Sequence, residues 1–192
     1  MEAPTTPKRR LLKGCLVVLG VALLVVAALA GGFWWSLEGR KKQAVRDGEK
    51  YSAACDTIGT ITEHPAISFN GFTKAELSKL TFYLIRNGKI LKDTTVHYPQ
   101  PDGLYEFNIP LAFARFKKTD TIVVETTGRD KRFYRLSGFH YAASLHYGML
   151  GYVGGYDCHL AEEDYTVNGR KSRGFLRKQD GLPALPLPAR WK

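Results

Sequence analysis

The chain is short of the motifs that announce chemistry. It has no G-x-S-x-G elbow, no H-E-x-x-H, no C-x-x-C and no phosphate-binding loop, so the common hydrolase, metalloprotease, dithiol and nucleotide-binding arrangements have no sequence footing. Zinc-finger, helix-turn-helix and single-strand platform patterns are missing as well, which argues against nucleic acid despite a formal charge of +10. There are only three cysteines among 192 residues. Acidic residues are outnumbered by basic ones, 18 to 28, but the imbalance is local. Residues 1–42 carry a net +5, residues 43–169 a net −1 and residues 170–192 a net +6. The excess thus lies at the two ends, where it can meet anionic lipid or another charged surface.

What the chain does contain is one long uncharged run, Gly14 to Leu37, 24 residues. At 1.5 Å per residue it makes about 36 Å of helix, enough to cross a hydrocarbon core of about 30 Å. Trp34 and Trp35 stand at its downstream end, where indole rings mark a membrane interface. Lys8, Arg9, Arg10 and Lys13 precede the run and Arg40, Lys41 and Lys42 follow it, a slight bias toward a cytoplasmic N-terminus. Ala28-Leu29-Ala30 also has the small-x-small form of a signal-peptide cleavage site. An uncleaved anchor is the preferred expectation, because cleavage there would leave Phe33, Trp34 and Trp35 as a greasy start to the mature protein. Both alternatives export the domain.

Cys15 lies inside the apolar run, whereas Cys55 and Cys158 bracket the downstream domain. A disulfide between the latter two is expected in an oxidising compartment. The bacterial inner membrane, with the domain facing the periplasm, is the favoured location.

Downstream, residues 38–54 form a polar stalk that can continue the helix, although Gly48 weakens it. Short alternating strands then follow one another. Leu80 to Leu84 and Ile90 to Val96 flank Asn87-Gly88, a strong hairpin signal. A turn is expected at Pro99 to Gly103, strands over Tyr105 to Ile109 and Thr121 to Thr127, and another over Phe133 to Leu136. No strand is followed by a convincing long helix. This rhythm predicts an all-β domain over residues 55–169, and it resembles that of immunoglobulin-like or transthyretin-like β-sandwiches, an analogy that carries no function. Residues 1–13 are expected to be a cytoplasmic N-terminus, 14–37 the transmembrane helix, and 170–192 a basic, proline-containing tail outside the core.

Two regions draw attention as binding surfaces. Between Gly138 and His159 glycines at 148, 151, 154 and 155 allow close backbone bends, while Tyr147, Tyr152 and Tyr156 offer flat apolar faces with hydroxyl tips. A long ordered loop packed only on the protein itself is the plainer alternative. In the tail, Arg170, Lys171, Arg173, Arg177 and Lys178 are candidates for contact with an acidic partner or lipid headgroups. Chemistry has a weaker claim: His140, His146 and His159 with Asp157 suit a metal by type but not by spacing, and a thiolate at Cys158 competes with the disulfide. The expectation is a membrane-anchored extracytoplasmic interaction or assembly domain, an accessory subunit of a cell-envelope complex. It would contact lipid through residues 14–37 and a protein or envelope polymer through its surface, without cofactor, metal or nucleic acid. The alternative is a metal-dependent or thiol-dependent envelope enzyme built on His140, His146, His159 and Cys158.

Overall fold

An unbroken apolar run rich in Leu, Val and Ala, with Pro7 at the first helical position where its missing N–H costs nothing, folds as one helix, α1 (Pro7–Cys55). In the computed structural model, which describes residues 7–98, 106–161, 164–172 and 174–190, this helix runs straight through Gly31, Gly32 and Gly48. Its 49 residues reach about 73 Å, more than twice a hydrocarbon core. The stalk is therefore helix throughout. Side chains from Leu16 to Leu29 and on to Phe33, Trp34 and Trp35 are exposed, and none of the most apolar stretch is buried in protein. A helix of that length and apolarity with no protein around it fits a single membrane span. It ends at Cys55, where the Thr57 hydroxyl donates to the Ala54 carbonyl at 2.7 Å and the chain turns at Asp56 and Thr57.

The described residues divide into two compact units, the helix up to Glu49 with Leu145–Tyr156, and Lys50–Ser144 with Asp157 onward. The larger unit holds most of the β structure. In chain order its elements are β1 (Thr60–Ile61), β2 (Ala66–Asn70), a single helical turn α2 (Lys74–Leu77), β3 (Lys79–Arg86), β4 (Lys89–His97), β5 (Glu106–Pro110), β6 (Phe116–Lys117), β7 (Thr121–Glu125) and β8 (Phe133–Ser137). The strands β9 (Tyr141–Gly148) and β10 (Gly151–Leu160) pair with each other, and β11 (Thr166–Val167), β12 (Arg170–Lys171) and β13 (Phe175–Arg177) follow. Six strands form one sheet in the order β12-β11-β8-β7-β3-β4, three form another in the order β13-β2-β5, and β1 pairs with β6. The domain is thus mostly β, with several sheets, after one long helix.

The hairpin of β3 and β4 turns at Asn87-Gly88, with φ of 50° and 71°. Those positive angles are what a two-residue primed turn demands. Leu80, Phe82 and Leu84 alternate inward along β3 and are matched by Ile122 and Val124 of β7 and by Tyr134 and Leu136 of β8. Ile67 and Phe69 of β2, Phe107 and Ile109 of β5 and Leu176 of β13 supply the buried side chains of the three-stranded sheet. Phe72 meets both sets, edge-on to Phe69 at 5.6 Å and to Tyr134 at 6.1 Å between centroids. At the end of β3, Arg86 grips the fully buried Asp120 with two bonds of 2.7 Å, and Asp120 also accepts the Lys117 N–H at 2.8 Å. That hydrogen-bonded carboxylate raises the Arg86 pKa further.

Two expectations are corrected by this arrangement. The described part of residues 170–192, up to Arg190, is not a tail beside the core: β12 closes one edge of the large sheet, β13 runs parallel to β2, and Phe133 bridges Leu182. The Tyr134 hydroxyl donates to the Arg177 carbonyl at 2.9 Å, and a methyl group on Gly181 would stand 2.6 Å from the same ring. The glycine-tyrosine stretch is not a loop either, since most of it is the β9–β10 hairpin. The turn expected at Pro99 to Gly103 lies outside the described residues, as do Tyr105 and Arg173.

Cys55 and Cys158, 103 positions apart in sequence, are joined by a disulfide with Cα atoms 5.4 Å apart. It fastens the last residue of α1 to β10. Nearby, the Lys118 ammonium donates to the Asp56 carbonyl and pairs with the Asp56 carboxylate at 3.1 Å.

Candidate functional site

The smaller unit builds a cleft from a helix face and a hairpin end. On α1, Leu37, Arg40, Lys41, Ala44 and Val45 fall on one side at helical spacing. Opposite them stand Tyr147, Leu150, Gly151 and Tyr152, at the turn of β9 and β10. The open cleft has a volume of about 440 Å³, and its walls are mainly apolar apart from the two cationic side chains.

Two contacts hold the hairpin on the helix, and a third joins its own strands. Tyr152, buried to 4 % exposure, donates its hydroxyl to Asp47 at 2.9 Å. Its ring lies 5.9 Å from that of Tyr147. Leu145 sits over Gly48, where a Cβ would meet the leucine methyl at 3.6 Å. Gly48, which weakens the helix by propensity, is thus where a hairpin side chain approaches it. Inside the hairpin, a Cβ on Gly148 would come within 2.8 Å of the exposed Val153 side chain, which would have to shift.

Of the sequence-predicted contact residues, Tyr147 and Tyr152 line the cleft, with Tyr147 exposed and Tyr152 buried. Tyr156 is half-buried in β10. Among the described residues, three of the basic side chains have separate partners. Lys171 pairs with Asp164 at 2.6 Å, Lys178 with Glu76 at 2.6 Å, and the Arg177 guanidinium lies 4.9 Å over the Phe175 ring. Arg170 is exposed on β12. The bond from Lys171 holds Asp164 below its usual range. Burial raises the Glu76 carboxyl, but bonds from Lys178 and Thr73 outweigh it and leave its pKa lowered.

The residues of the enzymatic alternative are spread out. His140 faces Asp164 at 3.7 Å, His146 belongs to β9 beside Gly155, and His159 is exposed on β10. Among the described residues no group of three or more His, Cys, Asp or Glu side chains is placed to hold a metal ion, and Cys158 is oxidised with Cys55.

The helix side of the cleft escapes a reading that stops the apolar run at Leu37. A signal was present: Leu37, Lys41, Ala44 and Gly48 recur at three- and four-residue spacing, the mark of a helix face that is covered. Compared with known protein families, with curated proteins and with solved structures, the chain matches none of them.

Proposed function

We propose that this protein is a membrane-anchored extracytoplasmic interaction or assembly domain, an accessory subunit of a cell-envelope complex. The observation that carries the reading is the Cys55–Cys158 disulfide at the end of a helix long and apolar enough to span a membrane. A disulfide closing so large a loop belongs to an oxidising compartment, and the basic residues ahead of the span favour a cytoplasmic N-terminus. A bacterial inner membrane with the domain in the periplasm satisfies both. In the same reading the six-stranded and three-stranded sheets are the layers of a sandwich of immunoglobulin-like or transthyretin-like kind. Support comes from their inward rows of apolar side chains and from Tyr134 and Phe72, which touch residues of both. Partner contact is assigned to the exposed side of the domain that carries Arg170 and to Tyr156, with a protein or an envelope polymer as the counterpart and no nucleic acid.

A reporter fused after Lys192 tests the topology and should act as extracytoplasmic. For the interaction, a photoreactive side chain at position 156 or 170 of the full chain in intact membranes should yield an adduct with a protein of discrete mass or with polymer. No adduct at either position would overturn the assembly role.

A further inference from the structure

The turn between β9 and β10 is made by Met149 and Leu150. Met149 is fully exposed, and Leu150, Tyr147 and Val153 are exposed around it. Two-residue hairpin turns in water use Asn, Asp and Gly, as this chain does at Asn87-Gly88. A methionine and a leucine at such a tip cost solvation unless something apolar receives them.

The same unit shows what that is. Leu37, which walls the cleft with Leu150 and Tyr147, lies two residues past Trp35, about 3 Å along the helix. Arg40 and Lys41 follow at about 8–9 Å, at the outer edge of a headgroup layer about 5–8 Å thick on each side. The hairpin descends alongside: Leu145 is level with Gly48, and four residues of strand from there to Met149 cover about 13 Å. Eleven residues of helix from Gly48 back to Leu37 cover about 16 Å. The backbone of the tip therefore stops about 3 Å short of Leu37 and about 6–7 Å short of Trp35, within the headgroup layer next to the tryptophans.

We infer that the β9–β10 tip is a second membrane contact, with Met149 and Leu150 in the interface and the cleft holding one anionic phospholipid. Arg40 and Lys41 face the lipid phosphate, while Leu37, Ala44, Val45 and Leu150 offer apolar wall to the first part of an acyl chain. Continuity with the membrane span and the pairing of two cations with apolar walls select a lipid over a soluble ligand. The inference rests on the reading of α1 as a membrane span, and not on which side the domain faces.

The test uses the full chain with Cys15→Ser, so that a cysteine introduced by Met149→Cys is the only free thiol for a spin label. It is placed in nanodiscs of phosphatidylcholine and phosphatidylglycerol at 3:1. Relative to a label at Leu91→Cys on β4, the label at 149 should collide several-fold more with oxygen than with a water-soluble nickel chelate. Equal ratios would overturn the inference, as would shielding seen only in native membranes, which would assign the tip to a protein. In the unlabelled chain, Arg40→Gln with Lys41→Gln should reduce energy transfer from Trp34 and Trp35 to headgroup-labelled phosphatidylglycerol about twofold or more. Unchanged transfer would overturn the headgroup half. A chain that does not enter nanodiscs at all defeats the membrane-span reading itself, a result distinct from a reconstituted chain whose position 149 stays in water.

Discussion

The Tyr152 hydroxyl and the Asp47 carboxylate, 105 residues apart in sequence, meet at 2.9 Å and fasten β10 to the part of α1 that follows the membrane-long stretch. Losing that bond should loosen the hairpin without melting the β domain. Tyr152→Phe is expected to cost about 1.5–3 kcal/mol locally, the value of a hydrogen bond to a charged group. Faster amide exchange in Leu145–Tyr156, with exchange in β3 and β7 unchanged, is the measurement; uniform change across the chain would contradict it.

The disulfide should matter globally. In the chain-entropy account, closing a loop of about 100 residues contributes about 4.7 kcal/mol. Cys158→Ala is expected to lower unfolding free energy by about 2–5 kcal/mol in denaturant titration of the detergent-solubilised chain. Alkylation after denaturation without reductant should modify Cys15 alone.

Truncation after Asn168 is expected to unfold the domain, because β13 supplies Leu176 to the core and its residues receive the Tyr134 hydroxyl. Milder changes should separate the two contributions. Leu176→Ala should cost about 2–5 kcal/mol through its cavity, and Gly181→Ala about 1–3 kcal/mol by forcing a methyl into the Tyr134 ring. A truncated chain that keeps its thermal transition would remove residues 170–192 from the fold.

Acid should find a defined weak point. Bonds from Lys178 and Thr73 hold the folded Glu76 pKa below the ordinary 4.5, and bonds from Lys131 and Tyr83 lower Glu125 against its burial. A carboxyl depressed on folding stabilises fully above its unfolded pKa, and that stability is lost as pH falls through the folded value. Stability should therefore decline below about pH 4.5, and Lys178→Met should flatten the decline by removing the main partner of Glu76. Equal slopes for both proteins would show that the pair does not contribute.

Asp120 is the buried charge whose loss should be felt most. Asp120→Ala leaves Arg86 and the Lys117 N–H without their acceptor. The expected cost is about 2–3 kcal/mol, below the 3–5 typical of a fully buried pair because Arg86 retains access to water. A variant within about 0.5 kcal/mol of the parent would show that water replaces the carboxylate.

Where local chemistry decided the outcome, the residues themselves were enough. Apolarity from Gly14 to Leu37 made a span-length helix, the Asn87-Gly88 pair made a hairpin, and alternation at Leu80, Phe82 and Leu84 made a strand with one buried face, since each depends on neighbours within a few residues. The Cys55–Cys158 pairing was legible because export left those two thiols as natural partners. Other features depend on residues far apart in sequence, and only tertiary structure decided them. Leu176 looks like any leucine in a basic stretch until β2 offers it an open edge, and Gly181 is an ordinary loop glycine until Tyr134 lies against it. Tyr147 and Tyr152 carry no local mark that one is exposed and the other bonded to Asp47. Polarity set the limits of the tail and stalk on paper, but packing drew the chain's real boundaries, because burial of a few apolar groups and the hydrogen bonds of a sheet edge outweigh the charge of the segment that carries them.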